Sequence, residues 1–315
     1  MYIIAGVVLI VVVVLGAFLM LGGRQRQSQL DAASPILAQI GQDTQALSSS
    51  WNKAKSQIDA LGILEMTDDP TILSNAIDKS TDNRALLSEI KDELDSVSVY
   101  QSKIDSSLQD LKELELPSWV QDYVGLMESM LAKDKVRLGK ALQLVENANR
   151  FYAFSEPFAK GKLADIAMDQ NLSDGRDKFE AKDYAGAAEA FDQALSQNSQ
   201  VETYADDAQR IIAMTYLDKA QANRVEGDAL IKEYQRVLGL ANAGSYQEAN
   251  QQYQEAEKAY ESLLGKRVTA ADTMPENEAW WDAQVGSLQN ELGQLTAEIE
   301  TLQHQAQALV EQNKR

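Results

Sequence analysis

The chain has 315 residues, a formal net charge of −19, no cysteine and one histidine, His304. Disulfides, thiolate metal sites, iron–sulfur ligation and multi-histidine metal sites are therefore excluded. A surface this acidic repels phosphate backbones, so we expect no nucleic-acid binding. Alanine, leucine, glutamine and glutamate are abundant and strand-type alternation is hard to find, so the composition predicts an all-α fold.

The amino terminus carries an uncharged stretch over residues 1–23, and residues 2–22 are almost wholly apolar. About 20 such residues span the roughly 30 Å hydrocarbon core of a bilayer as one helix. A cleaved signal peptide is the alternative, but this stretch lacks the basic region and the small-residue cleavage site that such a peptide needs. The sequence predicts a transmembrane anchor over residues 1–23 and a single-pass location in the cell membrane.

The orientation of that anchor depends on two arginines. Arg24 and Arg26 follow the apolar run, and no lysine or arginine precedes it. The positive-inside rule then places residues 24–315 in the cytoplasm. Two arginines are a small charge bias that a large domain can override, so a body outside the membrane is the alternative.

Apolar residues recur at steps of three and four through residues 29–156. The pattern breaks near Pro70 and near Pro117, because proline disfavours helical geometry in the residue before it. Each apolar stripe covers one face of a helix and needs a partner that buries it. We therefore predict a long antiparallel bundle of three helices over residues 29–156.

Three positions in these stripes are polar, namely Thr44, Gln101 and Asp134. Polar side chains at such positions either face a ligand inside the bundle or fix the register of helix pairing. We favour a register-setting or partly solvated role for all three.

Residues 157–265 contain two copies of the pattern Tyr-x-x-Ala-x-x-x-aromatic-x-x-Ala. Small side chains let two helices approach closely, and aromatic side chains fill the space between neighbours. The pattern resembles the tetratricopeptide repeat over residues 171–265. The family's small and aromatic positions fall on Gly175, Tyr184, Ala187, Phe191 and Ala194 in the first copy, and on Tyr246, Ala249, Tyr253 and Ala256 in the second.

This resemblance implies antiparallel helical hairpins and a groove that binds a peptide of a partner protein. The alternative is a set of helical hairpins that pack together without a binding role.

The carboxyl-terminal segment, residues 279–315, follows a linker predicted over Thr269–Asn277. Its apolar residues keep a strict three-four spacing for more than three heptads, which is typical of a coiled coil. Such a helix either self-associates, giving a homo-oligomer, or folds back onto the bundle. The predicted heptad seam consists of Val285, Leu288, Leu292, Leu295, Ile299, Leu302, Ala306 and Leu309.

The sequence contains no phosphate-binding glycine loop, nucleophile elbow, zinc-protease motif or calcium loop. We therefore predict no catalytic, cofactor-binding or metal-binding residues; a carboxylate site formed only by the fold is the alternative. The function that we predict is a membrane-anchored helical scaffold or adaptor that mediates protein–protein interaction. The alternative is a self-associating structural component of a cell-envelope or membrane assembly, with its body outside.

Overall fold

The computed structural model describes residues 24–313, which are almost entirely helical, so the all-α prediction is confirmed for this part of the chain. A π-helical turn, Asp282–Gly286, joins the last two α-helices without a break. The helices are α1 (Arg24–Ile58), α2 (Pro70–Lys112), α3 (Ser118–Glu180), α4 (Tyr184–Ile211), α5 (Thr215–Asn242), α6 (Tyr246–Leu264), α7 (Ala270–Trp281) and α8 (Ser287–Asn313).

The structure corrects the membrane part of the predicted fold class and the predicted single-pass location. Between residues 24 and 313, no helix is both long enough and apolar enough to cross a membrane. The longest helix, α3, has 63 residues, but charged side chains recur along it. The predicted anchor over residues 1–23 lies outside the described residues, and Arg24 and Arg26 fall in the first turn of α1.

The described helices form two compact units. The bundle unit contains the described chain up to Leu61, the segment Ala85–Ala148 and the residues from Asp282 onward. The hairpin unit contains Gly62–Arg84 and Asn149–Trp281. These bounds differ from the predicted division after residue 156, because α3 continues through that position as one helix.

The bundle unit takes its core from four helical segments rather than the predicted three. Buried leucines and isoleucines come from α1, from the later part of α2, from the earlier part of α3 and from α8. Ion pairs connect α8 to α3, with Lys133 Nζ 2.5 Å from Glu298 Oε2 and Lys140 Nζ 2.7 Å from Glu291 Oε2. The terminal helix therefore folds back onto the bundle of its own chain.

The predicted heptad seam lies on the covered face of the π-helical turn and α8. Val285, Leu288, Ile299 and Ala306 are buried, while Leu292, Leu295, Leu302 and Leu309 are partly buried. Near the end of the helix the buried position shifts to Val310, which is outside the predicted seam. The shift has a simple cause, because a straight helix with 3.6 residues per turn drifts away from a seven-residue repeat.

Two helical hairpins make up most of the hairpin unit. The first joins the end of α3 to α4 through residues 181–183, where Lys182 has φ 66° and Asp183 caps α4 by accepting the Gly186 N–H at 3.1 Å. The second joins α5 to α6 through residues 243–245, where Gly244 has φ 80°. Both turns thus use one residue in the left-handed region.

The predicted linker Thr269–Asn277 is instead largely the helix α7. Thr269 and Asp272 cap its start reciprocally: Asp272 Oδ2 accepts the Thr269 N–H at 3.0 Å, and Thr269 Oγ1 accepts the Asp272 N–H at 3.1 Å. The buried side chains of Ala270, Thr273 and Trp281 then hold the helix against its own unit.

Candidate protein-binding groove

Residues of the first copy of the repeat pattern lie where the end of α3 meets α4. A Cβ atom on Gly175 would lie 2.5 Å from Cε1 of Phe191, so only glycine lets α3 approach the ring this closely. Phe191 is fully buried and stacks on Tyr234 with ring centroids 5.0 Å apart. Ala187 and Ala194 lie on the same buried face of α4. These four residues thus form the close contact between α3 and α4.

The second copy joins the same core. Ala249, Tyr253 and Ala256 are buried on α6. Tyr253 meets Tyr234 edge to face at 5.9 Å and stacks on Phe179 at 4.7 Å. Tyr234 therefore lies between the aromatic residues of the two copies. The repeat pattern did not identify Tyr234 or Phe179, since neither occupies a position of the motif.

A polar cluster connects α3, α5 and α6 beside these rings. Glu257 Oε1 accepts a hydrogen bond from Arg176 Nε at 2.7 Å and another from the Tyr234 hydroxyl at 2.7 Å. Arg176 also pairs with the other oxygen of Glu257, and its guanidinium lies 4.4 Å from the ring centre of Tyr260. Burial alone would raise the pKa of Glu257, but hydrogen bonds from Arg176 and Tyr234 outweigh it and hold that pKa below its ordinary value.

An open groove of about 610 Å³ lies where the turns of the two hairpins come together. Four aromatic side chains line it, those of Phe179, Tyr184, Tyr246 and Tyr253. Tyr184 and Tyr246 are equivalent positions in the two copies, and both were predicted to pack between helices. Tyr184 is partly buried with its ring 5.5 Å from that of Phe179, whereas Tyr246 is 62% exposed. The equivalent tyrosines thus face a groove rather than a closed core.

The rim of this aromatic groove is polar. Its polar lining residues are Glu180, Lys182, Asn250 and Gln254. Lys182 is the one basic residue among the lining residues, while acidic residues outnumber basic ones in the hairpin unit as a whole. The groove therefore combines an aromatic floor with a polar rim, and it belongs to a unit whose overall charge is negative.

A second cleft of the hairpin unit holds a cluster of charges that all have partners. Arg267 Nη2 lies 3.0 Å from Asp165 Oδ1, and its Nη1 pairs with Asp169. Lys162 donates to the Val268 carbonyl, and burial lowers the pKa of its ammonium group. Because each of these charged groups has a partner, we interpret the cluster as a structural contact. It holds the segment after α6 against α3.

Within residues 24–313, no group of three or more histidine or acidic side chains is placed to hold a metal ion. Comparison with known proteins adds no further assignment: no family model, no curated protein and no solved structure matches the chain.

Proposed function

We propose that this protein is a helical scaffold or adaptor that binds a segment of a partner protein in the aromatic groove. The observation that supports it is the 62% exposure of Tyr246 beside three further aromatic rings. Tyrosine is among the residues that contribute most to protein–protein binding, and an apolar surface with a polar rim is typical of such sites.

The floor of the groove is held by ring stacking and a hydrogen bond, which favours binding. Tyr253 stacks on Phe179 and its hydroxyl donates to Glu180 Oε1 at 3.2 Å. Gly175 and Phe191 keep the first hairpin tightly closed behind this floor. Side chains that are already ordered lose little entropy on association, so more of the contact energy appears as affinity.

The groove favours a short segment with one apolar or aromatic side chain flanked by lysine or arginine. Its volume of about 610 Å³ accommodates a few side chains, and aromatic rings form the floor. Glu180 and Lys182 balance each other at the rim, so the acidic surface of the unit as a whole is what attracts basic residues.

Self-association through the terminal heptads has less support. The buried members of the heptad seam, including Leu288 and Ile299, are covered within the bundle unit of the same chain. A second copy would have to displace these contacts, whereas the aromatic groove is open.

Photo-crosslinking tests the proposal directly. A benzoyl-phenylalanine at position 246 of the full chain, in cells that naturally express it, should capture one partner segment reproducibly. Position 225 is the matched control, because Val225 is similarly exposed at 56% on α5 of the same unit. Equal capture of the same proteins from both positions would contradict a specific groove.

The captured segment then allows a quantitative test. A synthetic peptide of that segment should bind the full chain in calorimetry, and Tyr246→Ser should weaken binding about tenfold or more, as expected for a central aromatic contact. Tyr246 is exposed, so the substitution leaves the core intact. Val225→Ser should have no effect. A peptide whose affinity is unchanged by Tyr246→Ser would refute the aromatic groove as the binding site.

A further inference from the structure

The turn between α3 and α4 places a strained residue in the lining of the aromatic groove. Lys182 has φ 66°, in the left-handed region that favours glycine. Its N–H donates to the Phe179 carbonyl at 3.0 Å, and the Asp183 N–H donates to the Lys178 carbonyl at 2.9 Å. The turn therefore uses the backbone of Lys182, which glycine would supply equally well.

The second hairpin has the same turn with glycine in this place. Gly244 has φ 80°, and its N–H donates to the Ala241 carbonyl at 3.0 Å. The Ser245 N–H donates to the Leu240 carbonyl at 2.9 Å, so the hydrogen bonds match those of the first turn. The turn thus does not require a lysine, whose Cβ atom makes the left-handed backbone less favourable than glycine does.

The side chain of Lys182 also has no structural role in the fold. It is exposed, and among residues 24–313 it has no ion-pair or hydrogen-bond partner. The last turn of α3 already contains a cation, Lys178, which pairs with Asp174 at 2.7 Å and lies where it interacts favourably with the helix dipole. Strained residues are concentrated at functional sites, so the exposed lysine in the groove lining suggests a role in binding.

The charged groups of the groove differ in what they already contact. Glu180 Oε1 accepts the Tyr253 hydroxyl at 3.2 Å, whereas the ammonium group of Lys182 has no acceptor within the described chain. Asn250 and Gln254, the other polar residues of the lining, are neutral. The ammonium group of Lys182 is therefore available to a ligand, and the group that complements it is a carboxylate.

We propose that the partner segment carries an aspartate or glutamate that pairs with Lys182, near the apolar or aromatic side chain that contacts Tyr246. This inference rests on the proposed function and adds an acidic residue to it. Basic residues at the ends of the segment meet the acidic surface of the unit outside the groove, so the segment has charges of both signs. Because the second turn has Gly244 where the first has Lys182, the carboxylate lies beside the first hairpin.

Selection from a peptide library tests the proposal on the full chain. The probe is a phage-displayed set of short peptides with a central aromatic residue and random residues on both sides. Peptides are selected on the wild-type protein, and those that also bind Tyr246→Ser are discarded. The peptides that remain depend on the groove, and they should share an aspartate or glutamate at one fixed distance from the aromatic residue.

Calorimetry with one such peptide then isolates the ion pair. Lys182→Gln removes the charge, so it should weaken binding about fivefold at low ionic strength, the upper value for an exposed ion pair. Replacement of the acidic residue of the peptide by its amide should weaken binding equally, and both changes together should be no worse than either. Lys258→Gln is the matched control, because Lys258 is exposed on α6, has no partner in the described chain and lies outside the groove lining.

The possible failures are distinguishable. Groove-dependent peptides without an acidic preference, or with an affinity that Lys182→Gln leaves unchanged, would refute the ion pair and leave the groove as a binding site. If no peptide depends on Tyr246, the groove itself is refuted and the ion pair with it. Lys182→Gly separates binding from folding, since affinity should fall while stability in urea unfolding stays equal or rises. Loss of both would show that Lys182 acts through the fold, which also overturns the proposal.

Discussion

The two units bury similar helical stripes but fill their interiors differently. The hairpin unit closes around a continuous group of rings, with Phe191, Tyr234 and Tyr253 in direct contact. The bundle unit instead buries an ion pair, Asp134 with Arg137, next to a small cavity. Spacing of apolar residues at three and four steps thus specifies a helix with a covered face, but it does not specify what that face encloses.

Removal of one partner of the buried ion pair in the bundle unit should lower the free energy of unfolding more than the other substitutions below. Asp134→Ala leaves the Arg137 guanidinium buried without its counter-charge, so we expect a loss of about 3–5 kcal/mol in free energy of unfolding. Urea unfolding followed by circular dichroism measures it. The double variant Asp134→Leu with Arg137→Met removes both charges and should recover most of this loss. A double variant as unstable as Asp134→Ala would show that the ion pair itself makes a net favourable contribution to the free energy of unfolding.

Crowding of the aromatic core of the hairpin unit should cause the second largest loss in free energy of unfolding. Gly175→Val places side-chain atoms where Phe191 already lies, and overpacking of this kind costs about 1–3 kcal/mol. Gly239 is the control, because a Cβ atom at that position meets nothing within 4 Å and Gly239→Ala should be tolerated or slightly stabilising. Equal stability of Gly175→Val and wild type in urea unfolding would contradict the close helix approach.

The polar cluster of the hairpin unit predicts a dependence on pH. The pKa of Glu257 is lowered in the folded protein, so its contribution is present above the unfolded value of about 4.3 and is lost as pH falls through the folded value. Glu257→Gln should lose about 1 kcal/mol at pH 7, and this difference from wild type should shrink below pH 4. Glu261→Gln, at an exposed position of the same helix, should show no such change.

Substitutions in the two hairpin turns should cause the smallest changes in the free energy of unfolding. Lys182 adopts a left-handed backbone that Gly244 adopts without strain in the equivalent turn. Lys182→Gly should therefore stabilise the hairpin unit by about 0.5–1 kcal/mol, and Gly244→Ala should destabilise it by a similar amount. Thermal unfolding of both variants measures these changes. Destabilisation by Lys182→Gly would mean that contacts of the lysine side chain outweigh the strain.

A local pattern carries the most information about packing in the hairpin unit. Ala187, Phe191 and Ala194 repeat at helical spacing with Ala249, Tyr253 and Ala256, and all six are buried, whereas Tyr246 of the same pattern is exposed. Tyr234 was missed, because it lies outside the motif and its partners come from other helices.

The helix α7 was missed for a different reason. Pro275 and the polar residues around it suggested a linker, yet Ala270, Thr273, Asn277 and Trp281 follow helical spacing and are buried. The capping pair Thr269 and Asp272 was a second local signal. Pro275 lies inside this helix, where proline removes a backbone hydrogen bond, so the burial of these four side chains outweighs the local preference for a break.

The buried network of the bundle unit was only partly predictable. Gln101 and Asp134 were recognised as polar members of apolar stripes, and the structure places them 2.8 Å apart. Their link to Trp51 and Arg137 depends on how four helical segments pack in three dimensions, and no spacing along the sequence encodes that arrangement.

The four tryptophans, including Trp51 beside Arg137, allow each unit to be followed by its intrinsic fluorescence. Trp51 and Trp119 belong to the bundle unit, and Trp280 and Trp281 belong to the hairpin unit, where Trp281 lies against Phe151 with ring centroids 5.1 Å apart. Replacement of one pair by phenylalanine leaves the fluorescence of the other unit as a separate signal. Each interior thus carries a natural chromophore, and the unfolding of one can be followed by its emission without an attached dye.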